Sequence, residues 1–261
     1  MTDELKQRLI QLADRYEQAN FLTGDPSWFM HQVSGDSNRE ATAFVASALS
    51  YGSRKQFMQK IGLIMQWAEG DIDGWVRSGA FASHFDAADH HCFYRLYDNS
   101  LMCSFLTAYS ELLANHGTLG SYVAAEATDG MSAVAAICDY FASKGIGQIV
   151  PKDTTSACKR VCMFLRWMVR SDSPVDLGLW SHIIDRRTLI IPLDTHVARQ
   201  ATNLGLITSK SSSMATARRL TARLAEVFPD DPLRGDFALF GYGVNESKQK
   251  AKKQAVTQSL N

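Results

Sequence analysis

Residues 159–170 read KRVCMFLRWMVR, and residues 189–206 read LIIPLDTHVARQATNLGL. A turn-rich stretch, SDSPVDLGLWSH, stands between them at 171–182. Cys158, just before the first segment, and Val161, Cys162, Leu165 and Val169 within it recur at helical spacing and share one face. This predicts a helix over about 155–170, with Lys159 near its start and at the edge of the apolar face. In the second segment Asp194 follows an apolar run and precedes a helix over 195–203, where an aspartate caps the first free amides. Lys159 and Asp194 are 35 positions apart. An amine and a carboxylate brought together at a cleft can do covalent chemistry, the amine attacking an electrophilic carbon while the carboxylate stabilises positive charge or moves a proton.

The same helical period runs outward in both directions. Leu5, Leu9, Leu12 and Tyr16 form one stripe with Asp3 and Glu4 in the first turn. Asp25-Pro26 opens a short helix bearing Trp28 and Phe29. Ser37-Asn38-Arg39-Glu40 has the spacing of a capping box before ATAFVASAL, and Gly52 and Ser53 separate that helix from another through Trp67. FDAADHHCFYRLYDN, at 85–99, reads as a loop around a short helix. Helices follow over 101–115, ended by Gly117, and around 119–126, 131–143, 213–227 and 232–243. The last fifteen residues are polar and are expected to fray. No segment alternates with period two over a strand's length. The chain therefore reads as all-α, roughly ten helices, with a boundary near Asp172–Pro174.

Hydrophobic residues make up 46% of the 261, enough to bury a large core. The formal net charge is zero, so the total excludes no partner, but its distribution is uneven. Residues 151–223 hold twelve Lys/Arg against five Asp/Glu, and residues 1–150 hold ten against seventeen. A basic third of this kind presents a basic cleft to a polyanion or is simply solvated. The five cysteines, at 92, 103, 138, 158 and 162, make no paired framework and no zinc or iron–sulfur set, and are expected to be reduced and mostly buried. The amphipathic N-terminus is not a signal peptide, and no 18-residue apolar run is present, so a cytoplasmic protein with no membrane span is expected.

Other side chains join the chemistry. A partly buried Lys159 has a depressed pKa, as a nucleophilic amine requires, whereas a lysine with its head in water does not. Arg166 and Arg170, seven and eleven positions after Lys159, either bind phosphate or pair with Asp172 and Asp176. Asp236 and Phe240 are four apart on the last helix and face the same way, an acceptor and a ring able to pinch a base or a carboxylate beside a core phenylalanine. His196 is compatible with a structural or a functional role.

IPLDTHVARQATNLGL resembles the P-V-D-T-H-V-x-R-x-x-x-R-L-G-L segment of the helix-hairpin-helix, Gly-Pro-Asp (HhH-GPD) DNA glycosylases such as endonuclease III. Pro192, Asp194, Thr195, His196, Val197, Arg199, Leu204, Gly205 and Leu206 match in register. That resemblance implies catalysis by Asp194 and a Schiff base between an upstream lysine and the sugar C1′. The usual L-P-G-x-G-x-K hairpin is absent: IVPKDTTSACK leads to Lys159 without Gly-x-Gly. Together with the long Lys159–Asp194 gap, this looks more like the archaeal 8-oxoguanine (GO) glycosylases. There a second basic residue lies seven positions after the nucleophile, as Arg166 does, and a late helix holds the base between an aspartate and an aromatic, as Asp236 and Phe240 are spaced. The whole chain is also similar to an uncharacterised bacterial family sharing CKR-x-x-x-FLRWMVR, PLDTH and DFALFGYG.

The resemblance implies two helical lobes with a cleft between them. A six-helix lobe over 37–171 carries Lys159, and a second lobe of 1–36 and 172–261 carries Asp194. It implies a monomer that acts on double-stranded DNA containing a damaged base, excises an oxidised purine such as 8-oxoguanine without metal or other cofactor, and has AP lyase activity. Asp236 and Phe240 would bind the base, with Arg166, Arg170, His196 and Arg199 on the DNA backbone or behind the site. The alternatives are a non-catalytic nucleic-acid-binding protein on the same fold, and a helical scaffold with no nucleic-acid role.

Overall fold

The structure is a computed structural model, and residues 1–243 are described; the expected fraying of the last fifteen residues lies outside them. The protein is mostly helical, in keeping with an all-α reading. Ten α-helices run α1 (Asp3–Tyr16), α2 (Asp36–Leu49), α3 (Arg54–Trp67), α4 (Ile72–Arg77), α5 (Asn99–His116), α6 (Leu119–Glu126), α7 (Gly130–Ser143), α8 (Lys159–Val169), α9 (Thr195–Asn203) and α10 (Met214–Ala225). A further helix, α11, covers 234–243. The predicted short helix after Asp25 is a 3-10 helix, Pro26–His31, whose first amide is capped by Asp25 Oδ1 at 3.0 Å from Ser27 N.

Two expectations are corrected. Residues 85–99 hold no short helix: a small antiparallel hairpin, β1 (Cys92–Tyr94) and β2 (Tyr97–Asp98), stands there instead. Its strands are too short to show alternation, and its turn depends on a positive φ at Arg95, which composition does not signal. The capping box at 37–40 does not form either. Gly35 stands at the N-cap of α2 with no side-chain cap. Glu40 is buried and accepts from Leu119 N at 2.8 Å, Gly120 N at 3.2 Å and Trp180 Nε1 at 2.9 Å. Three donors in a buried place outcompete one exposed backbone amide, because leaving them unpaired costs more.

The buried apolar residues form one continuous cluster from Leu9 to Tyr242. Helix α8 runs through it, with Phe164 and Trp167 fully buried and α2 packed against it. No glycine precedes α8, so Cys158 itself takes the left-handed conformation, φ 46, that turns the chain into the helix. Segment 155–157 is held on 212–214 by Ala157 N to Ser212 O at 2.9 Å and Met214 N to Thr155 O at 3.3 Å. The start of α8 is thereby tied to the start of α10. All five cysteines are free, and Cys138, Cys158 and Cys162 are buried. Among the described residues no helix is long and apolar enough to cross a membrane.

Candidate active site

A pocket of about 550 Å³ opens at the N-terminal ends of α8 and α9 and along α11, and both Lys159 and Asp194 line it. Lys159 is the first residue of α8, half-buried, and its Nζ approaches Met163 Sδ at 3.5 Å, one turn along. Among the described residues it has no salt bridge. Burial lowers its pKa below the ordinary 10.5, and the nearby carboxylates of Asp194, Asp25 and Asp236 oppose that shift without cancelling it.

Asp194 caps α9. Its Oδ1 accepts from His196 N and Val197 N, both at 2.9 Å, which fixes the carboxylate and engages only one of its oxygens. The capping reading of this residue therefore holds, and it coexists with a place in the pocket. His196 and Arg199 also line the pocket and are exposed, with Arg199 Nη2 at 3.2 Å from His196 Nδ1.

Asp236 and Phe240 are both brought to the pocket by α11. Asp236 is not a free acceptor, because one carboxylate oxygen is held by Arg166 Nη1. Burial holds its pKa above the usual carboxylate value, with Arg166 pulling the other way. Phe240 is 38% exposed, and the rings of Phe21 and Tyr16 meet it edge-on at 4.9 and 5.9 Å. These two rings support it and leave part of it open.

Arg166 and Arg170 do not face a phosphate. Both are buried, at 4% and 1% exposure. Arg166 pairs with Asp176 Oδ1 at 3.2 Å as well as Asp236. Arg170 pairs with Asp176, with Asp231 at 2.8 Å and with Glu17 at 2.6 Å. The expected alternative, pairing with Asp176, is the one realised, while Asp172 goes to Arg186 at 3.7 Å. Arg166 contributes to the pocket wall while paired to Asp236 and Asp176, and Arg170 lies outside the pocket. An eleven-residue α8 buried on nearly all sides leaves no solvent face for either guanidinium.

The pocket also contains Phe21, Asp25, Arg54, Met163 and Gln200, which sequence reading did not assign to it. Met163 was within reach of that reading, since it follows Lys159 by one helical turn. Asp25 and Arg54 come from segments over a hundred positions away, and no local pattern joins them to α8. Among the described residues no cluster of His, Cys, Asp or Glu is arranged to hold a metal ion.

The family profile described as Protein of unknown function (DUF2400) matches residues 25–245, which include every lining residue of this pocket named above except Phe21. No curated protein matches the chain. No solved structure matches it either.

Proposed function

We propose a DNA N-glycosylase activity for this chain, which belongs to the DUF2400 family of proteins of unknown function. The substrate in this reading is an oxidised purine such as 8-oxoguanine in double-stranded DNA, held in the pocket after the nucleotide is flipped out of the stack. The observation that carries it is that Lys159, half-buried and without a salt bridge among the described residues, and Asp194, fixed as the cap of α9, line one pocket. Neutral Lys159 Nζ attacks C1′. The C1′–N9 bond breaks, its electron pair leaves with the base, and the base takes up a proton. Asp194 stabilises the positive charge that develops on the sugar during this step. Ring opening leaves an imine on Lys159, and loss of a C2′ proton from it expels the 3′ phosphate, which is the lyase step. Asp236 and the open part of Phe240 would contact the base, and the lobes 37–171 and 1–36 with 172–261 would form the two sides of the cleft.

The test is reductive trapping. With a duplex carrying one 8-oxoguanine and sodium borohydride, the wild-type protein is expected to give a covalent adduct and Lys159→Gln none. The trapping rate should climb with pH, because the reactive amine is the unprotonated form, and its midpoint should fall below 10.5 because burial lowers the Lys159 pKa. An undiminished adduct in Lys159→Gln would move the nucleophile elsewhere, with Lys152 the first to examine. Salt-dependent duplex binding without any adduct would favour the non-catalytic nucleic-acid-binding protein.

A further inference from the structure

With Arg166 and Arg170 consumed by buried carboxylates, a phosphate backbone would have to be met by other cations. Arg54, Lys55 and Arg95 are exposed and have no carboxylate partner among the described residues, as is also true of Arg199 in the pocket. Arg54 itself lines the pocket.

These cations are set on a built scaffold. The Tyr51 ring lies under the Arg95 guanidinium at 4.9 Å and near that of Arg160 at 5.7 Å. The Tyr94 hydroxyl donates to the Tyr51 carbonyl, which ties the β1–β2 hairpin to the loop after α2. Arg160, next to Lys159, donates to Ala48 O at 2.8 Å and to the Tyr97 hydroxyl, so the start of α8 is part of the same assembly. Gly52 completes it. Its φ is +82, and a Cβ there would lie 2.8 Å from both Cδ and Nη1 of Arg95. The chain thus leaves space at Gly52 for the Arg95 side chain, two residues before Arg54.

The placement also opposes local stability. Arg54 and Lys55 occupy the first turn of α3, where the helix dipole disfavours cations, and no acidic residue shares that turn. An anion bound across them relieves that repulsion. Planar guanidiniums with fixed direction suit phosphate oxygens, which accept two parallel hydrogen bonds.

We propose that Arg54, Lys55 and Arg95, arranged on Tyr51 and Gly52, form the rim that seats the sugar-phosphate backbone of a DNA duplex beside the pocket. The choice of partner rests on the glycosylase reading above. The experiment is binding of an undamaged fluorescent duplex by anisotropy across a series of salt concentrations. Each phosphate contact contributes roughly 0.9 to the slope of log K against log salt. Arg54→Ala/Lys55→Ala/Arg95→Ala is expected to lower that slope by roughly 2–3. Gly52→Ala, which removes no charge but displaces Arg95, is expected to lower it by roughly 1. A control, Lys6→Ala/Arg187→Ala/Arg223→Ala, removes the same charge elsewhere and should leave the slope near that of the wild type. Equal losses in the rim and control variants would reduce the effect to net charge and overturn the proposal. An unchanged slope in the rim variant would overturn it while leaving the glycosylase reading in place, and a wild-type protein with no salt-dependent binding would overturn both.

Discussion

Asp194 is an N-cap and, in the proposed reaction, also a catalytic carboxylate, and the two roles separate under substitution. As an N-cap it contributes about 1 kcal/mol, and asparagine caps nearly as well. Asp194→Asn should therefore unfold within about 1 kcal/mol of the wild type in urea. Glycosylase turnover should fall by about two orders of magnitude or more, because an amide cannot stabilise a cationic sugar as a carboxylate does. If activity and stability fall in proportion, the cap alone accounts for the residue. The cap was legible in the sequence because it is made within three residues of Asp194. The state of Arg166 was not: its partners lie 10 and 70 positions away, and nothing in the α8 sequence separates a guanidinium facing solvent from one paired inside.

At the scale of elements, Glu40 shows how a local pattern misleads. S-x-x-E at 37–40 has the right spacing for a box at its own helix, yet the glutamate reaches across to cap α6 and to hold Trp180. Glu40→Ala orphans three buried donors and should cost on the order of 3 kcal/mol, read as a shift in the urea midpoint at unchanged slope. Burial raises the Glu40 pKa above 4.5, with the bonds from Trp180, Leu119 and Gly120 opposing. The folded state thus binds the proton more tightly than the unfolded one, so this residue's contribution is greatest below pH 4.5 and declines as pH rises through the folded value. Glu40→Gln should abolish that decline, and a variant with the wild-type pH profile would assign it to another group. The helices themselves were largely legible, from Asn99–His116 with its glycine stop to Thr195–Asn203, because their stripes and caps are local. The β1–β2 hairpin was not, since its few residues pair through a strained turn rather than through a pattern.

Across the whole molecule, one chain of charges links α1, α8 and α11. Glu17 and Asp231 hold Arg170, Arg170 and Arg166 share Asp176, and Arg166 reaches Asp236 at the pocket. Although burial disfavours its charge, these carboxylates hold the Arg170 pKa above its usual value. Removing one member of such a network strands the others: Arg170→Met should cost about 3–5 kcal/mol in chemical denaturation. Arg170→Lys should recover only part of this, since one ammonium cannot reproduce a planar fork shared among three carboxylates. A loss below about 1 kcal/mol in Arg170→Met would mean that the network contributes little net stability.

The close packing of α11 on α1 bears on the order in which the protein is made. A Cβ at Gly241 would collide with the Tyr16 ring, so the helix nearly last in the described chain lies directly against the first. A nascent chain that has grown to residue 230 already contains Lys159 and Asp194 but not yet Asp236 or Phe240. The pocket cannot close until this late segment returns to a helix made hundreds of residues earlier, a loop closure as long as the fold itself. Translation thus leaves Lys159 without part of its pocket wall until synthesis has all but passed the described residues.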